Sequence, residues 1–64
     1  MKPAHIYSIG TRGLREAAMR EDGVWFERLK RYGRPGWHAW QRIAGRPDAA
    51  WYNPARGRAH LPKD

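Results

Sequence analysis

Apolar positions in this chain of 64 residues recur mostly at intervals of three and four, a spacing that predicts short amphipathic helices. Strict alternation appears once. Across residues 4–9, His5, Tyr7 and Ile9 would share one side of an extended segment, and Ala4, Ile6 and Ser8 the other. No second strand is evident beside it. A lone strand leaves its backbone groups unpaired, so this segment is expected to lie across helices or to pair with another chain.

Three helices follow from the spacing. A first, capped by Ser8 or Thr11, runs to about Asp22, with Leu14, Ala17 and Ala18 as a shallow apolar stripe and Glu16–Arg20 as an i,i+4 ion pair. A second spans about Val24 to Tyr32, with Asp22 as its N-cap and Trp25, Leu29 and Tyr32 on one face. A third spans about Pro35 to Ala44. There Trp37, Ala39, Trp40, Ile43 and Ala44 fill one side, and His38, Gln41 and Arg42 the other. Gly33-Arg34-Pro35 recurs as Gly45-Arg46-Pro47. Glycine at a helix C′ position and proline at the next N1 make this tripeptide read as helix-to-helix punctuation.

The pattern as a whole predicts a mostly α fold. It is a small bundle of two to three short helices around a helix-turn-helix-like hairpin, with a short extended N-terminal segment and an irregular basic C-terminal tail. Residues 1–52 would form the helical basic domain and residues 53–64 the tail.

Composition adds two constraints. A chain this short buries only ~60% of the surface its unfolded form exposes, and with no cysteine it has no disulfides to compensate. Four Trp, three Tyr and one Phe are the available bulk. The core is therefore built on rings, or some of the rings face a partner. The second constraint is charge. Thirteen Lys and Arg against six Asp and Glu give a net charge of +7, and the stretch from Arg28 to Pro47 holds six basic residues and no acid. Such a field draws nucleic acid or an acidic protein face.

Candidate chemistry is sparse. Ser8 and Thr11 are the hydroxyl nucleophiles available, and neither has a histidine beside it. His5, His38 and His60 show no metal-ligand spacing, and no phosphate-binding glycine loop is present. No enzymatic activity, metal or cofactor is expected. The longest apolar runs fall far short of the ~20 residues of a membrane helix, so no membrane partner is expected, and a cytoplasmic location (or a virion, if the chain is phage-encoded) is the default.

The expected function is a basic binding module that docks on nucleic acid or a nucleoprotein assembly through an Arg-rich helical surface. In that reading His38, Gln41 and Arg42 face base edges, while Arg28, Lys30, Arg31, Arg34 and Arg46 contact phosphates. Arg56 and Arg58 of the tail lie along a phosphate backbone, and Trp51 with Tyr52 offers an exposed stacking platform. The alternative is a small subunit of a larger virion-like or ribosome-like assembly, a homo-oligomer, or a phage-encoded inhibitor that clamps a host complex through Trp, Tyr and Arg hot spots.

Overall fold

A computed structural model describes residues 2–63 and shows an antiparallel β-sheet in place of the expected helical bundle. The strands are β1 (Ala4–Ile9), β2 (Arg15–Met19), β3 (Trp25–Leu29), β4 (Gln41–Ile43), β5 (Ala50–Tyr52) and β6 (Arg58–Ala59), in the order β4-β3-β2-β1-β5 with β6 also on β1. A 3-10 turn at Pro54–Arg56 is the one helical element among the described residues. Among the described residues no helix is long and apolar enough to cross a membrane.

The extended segment at residues 4–9 is a strand, but it is neither alone nor peripheral. β1 is flanked on both sides, by β2 (Ile6 opposite Ala18, Ser8 opposite Glu16) and by β5 and β6 (Tyr7 opposite Tyr52, His5 opposite Arg58). Its partners escaped notice because β2 is written in helix formers, Arg-Glu-Ala-Ala-Met. Packing overrides that propensity. Ala17 and Ala18 are both fully buried, one on each face of the sheet. Small side chains there leave room for Tyr7 and Trp25 on one face and for Phe26 and Trp40 on the other.

The register sorts the side chains. One face carries His5, Tyr7, Ile9, Ala17, Trp25, Ile43, Ala50 and Tyr52. The opposite face carries Ile6, Ser8, Glu16, Ala18, Phe26 and Arg28, together with Leu61 packed on Ala18 and Phe26. Residues 53–63 are therefore part of the fold and not an irregular tail. β5 and β6 follow one edge of β1, and the chain between them detours over the Glu16 face.

Turns explain the two segments read as helix ends. Asp22 caps a β-turn, not a helix: its Oδ1 accepts from the Val24 amide at 3.2 Å, Gly23 N–H donates to the Arg20 carbonyl at 2.8 Å, and Gly23 has φ 89°. Glycine is required at such a position. Gly33-Arg34-Pro35 is not helix punctuation either. It forms the tip of a long hairpin between β3 and β4, closed by the Lys30–Trp37 bridge and by Arg31 N–H on the Gly36 carbonyl at 3.1 Å. Gly45-Arg46-Pro47 begins the link from β4 to β5, which joins the two edges of the sheet by crossing the Tyr7 face. Arg46 lies over the Tyr7 ring there, 4.9 Å from its centroid.

Arg20 ties the β2–β3 turn to the end of the chain. Its guanidinium grips Asp22 through two bonds of 2.9 and 2.7 Å and donates to the Pro62 carbonyl at 2.8 Å. The Arg20 hydrogen bonds lower the Asp22 carboxyl from its ordinary 3.8 to about 2. A depressed folded-state value means that the contribution is complete above about pH 4 and is lost as the pH falls towards 2. Urea midpoints measured from pH 5 to 2 should therefore fall less steeply for Asp22→Asn than for the wild type; identical slopes would contradict the assignment.

Candidate functional site

Glu16 is the most deeply buried charge in the sheet, at 2% exposure. Its position on β2 places it between Ser8 of β1 and Arg28 of β3. Oε1 accepts from Arg28 Nε and Nη2 at 2.9 and 2.8 Å, and Oε2 accepts from Arg56 Nε. Both carboxylate oxygens are thus engaged, by arginines distant in sequence. Among the described residues no buried side-chain polar atom lacks a partner. The expected Glu16–Arg20 helix pair does not form.

Two tryptophans roof this cluster. The Arg28 Cζ lies 4.9 Å from the Trp37 centroid and 4.4 Å from that of Trp40, and Arg56 and Lys30 approach Trp37 at 5.5 and 5.4 Å. The rings exclude water and place their negative faces against the guanidinium groups, an arrangement that strengthens when desolvated. The Glu16 interaction also raises the Arg56 pKa above its ordinary value.

The structure therefore divides the residues expected to contact a partner. Arg28 and Arg56 are committed to Glu16. Lys30, Arg31 and Arg34 cluster on the β3–β4 hairpin, all exposed, with Tyr32 fully exposed between the two arginines. His38 and Gln41 line a cleft at the hairpin's base with Glu27, Leu29 and Ala39. Arg42 is on the opposite side of β4 from Gln41, because it pairs with Phe26 and Gln41 with Glu27. Without a recognition helix, His38, Gln41 and Arg42 form no common reading face, and the helix-turn-helix mode of DNA readout is withdrawn. Arg46 and Arg58 sit on the Tyr7 face. Trp51 and Tyr52 are each about half exposed, but as neighbours on a strand they project to opposite faces and share no platform. Trp51 instead donates its indole N–H to the Gly10 carbonyl at 2.9 Å.

Two features escaped the sequence reading. By period alone Tyr32 falls on an apolar helix stripe, and by spacing Glu16 falls in an i,i+4 ion pair. Tyr32 was signalled by the glycines at 33 and 36, which mark a turn with φ of 69° and 94°. Nothing local signals Glu16, because its partners come from β3 and from the detour before β6.

Two further acids are paired internally, Glu27 with Arg15 and Asp22 with Arg20, while Glu21 and Asp48 are exposed. Among the described residues Arg31, Arg34, Arg46 and Arg58 form no ion pair. No three His, Asp or Glu side chains among the described residues converge as metal ligands would. No protein-family model, curated protein or solved structure matches this chain.

Removing one member of a buried ion cluster leaves an uncompensated charge, at a cost of about 3–5 kcal/mol. Glu16→Ala should therefore unfold much of the population, whereas Arg56→Ala, which leaves Glu16 still held by Arg28 and removes a side chain 41% exposed, should cost less, about 1–3 kcal/mol for the unpaired Oε2. Urea unfolding followed by tryptophan fluorescence separates the two; equal losses would contradict a central role for Glu16.

Proposed function

We propose that the protein is a non-enzymatic docking module that binds nucleic acid, with the β3–β4 hairpin as its principal contact. One observation carries the reading. The hairpin tip presents Arg31 and Arg34 on either side of a fully exposed Tyr32, in a stretch without acids whose nearest carboxylate, Glu27, is already taken by Arg15. Tyr32 is fully exposed, and among the described residues no carboxylate pairs with the two arginines. Planar guanidinium groups suit phosphate oxygens, and an exposed ring between them suits a nucleotide base or sugar edge.

Pairing inside the fold sharpens this chemistry. Arg15, Arg20, Arg28 and Arg56 are taken up by Glu27, Asp22 and Glu16, so the cations of the hairpin and of the Tyr7 face remain to act outside the fold, against the exposed acids Glu21 and Asp48. Phosphate contacts made this way position a nucleic acid without specifying its sequence.

A second reading is favoured by the same Tyr32: docking on a protein assembly, in which an exposed ring at a loop tip fills a pocket and dominates the energy. The two readings differ in their response to salt and to mutation. Binding of labelled DNA, followed by fluorescence anisotropy between about 50 and 200 mM salt, should show a log–log slope near −0.9 per phosphate neutralised. Arg31→Ala with Arg34→Ala should flatten the slope for duplex DNA by about 1.8. Absence of any DNA or RNA binding at the low-salt end would overturn the nucleic-acid reading in favour of the protein partner.

A further inference from the structure

The Tyr7 face of the sheet carries a second feature, away from the hairpin tip. Tyr52 of β5 and His5 of β1 pack edge to face with centroids 5.3 Å apart, and Tyr7 backs Tyr52 at 6.0 Å. Tyr7 in turn rests on Trp25 at 5.4 Å. Burial grades along this row. Trp25 and Tyr7 are half-buried against the cluster of Ile9, Ala17 and Ala50, His5 is exposed, and Tyr52 is 49% exposed. The outer two rings thus stand open to solvent on a rigid strand pair, held from behind by the inner two.

Two guanidinium groups share this face, one beside His5 and one over Tyr7. Arg58 is the β6 partner of His5, so it projects from the same face. Arg46 is fixed over Tyr7 by a 3.0 Å bond from Nη2 to the Ala50 carbonyl. Neither has a carboxylate partner among the described residues. Open rings and uncompensated cations on one face fit an occupant that is both planar-aromatic and anionic, and duplex DNA presents its bases stacked inside.

We propose that this face binds unpaired nucleotides, with Tyr52 and His5 as stacking surfaces and Arg58 and Arg46 on the adjoining phosphates. The inference rests on the nucleic-acid reading above and adds to it a preference for single strands. Base–aromatic stacking tolerates any sequence, since every base has a π-face, so the preference is for strandedness and not for a particular motif. Trp51, on the other face of the same strand, takes no part.

The test compares an oligothymidylate with duplex DNA, using Tyr52→Leu, Tyr52→Phe and the Arg31→Ala/Arg34→Ala double variant. Leucine keeps apolar bulk on the strand but has no ring face, and urea midpoints check that the fold is retained. Tyr52→Leu should weaken the oligothymidylate about tenfold or more and leave the duplex unchanged, while Tyr52→Phe keeps single-strand affinity. Wild-type oligothymidylate affinity in Tyr52→Leu, with the double variant impaired, would overturn the stacking face and leave the hairpin reading standing. Failure of the wild type to bind either probe would overturn both.

Discussion

One carboxylate organises this fold. Glu16 sits on β2, at the centre of the sheet, and could not be buried there alone, because an isolated charge in an apolar setting costs far more than a small domain has to spare. Its two arginines both follow it in the chain but at very different separations, Arg28 from the next strand and Arg56 from the detour before β6. Each brings further structure with it. Arg28 draws Trp37 and Trp40 down onto the sheet and so fixes the returning arm of the hairpin. Arg56 fixes the detour, beyond which β6 and Leu61 complete that face. An ion cluster that would be a doubtful source of stability taken alone here specifies which segments meet.

The core built around it is slight. Among the described residues seven apolar side chains are buried, and three of these are alanine. Rings do the remaining work from half-buried positions, with guanidinium groups lying on them. Arg20 on Phe26, Arg28 on Trp37 and Trp40, and Arg46 on Tyr7 follow one pattern on both faces of the sheet. The abundance of arginine over lysine follows from this, since a flat cation covers a ring while keeping its edge donors for carboxylates and carbonyls.

Much of this was hidden from the sequence, for physical reasons that differ by segment. β1 was legible because its alternation is clean. β2 was not, because both faces of a central strand under large rings demand small side chains, and alanine pairs read as helix. In β3 the true period of two is masked by Glu27, a polar residue on the Tyr7 face, and the chance spacing of Trp25, Leu29 and Tyr32 supplied a helical period instead. The Asp22-Gly23 dipeptide between β2 and β3 was the overlooked signal. It is a strong hairpin signature, and it outweighs weak helical periodicity on either side of it. As for the binding residues, residue type and charge identified the cations, but which of them are committed to internal carboxylates depends on contacts remote in sequence. Arg28 and Arg31, three residues apart, have opposite fates for that reason.

The detour between β5 and β6 has a consequence for how the protein comes into being. β1 contains the first residues of the sheet to be synthesised, yet one of its edges stays bare until residues 50–59 arrive. A growing chain that had only the β1–β4 meander would hold Glu16 by Arg28 alone, with the second carboxylate oxygen unpaired. Closure waits for the last strands, Arg56 and Leu61. The longest-range pairings are therefore the last available, an order that favours slow, all-or-none folding after synthesis over stepwise folding during it.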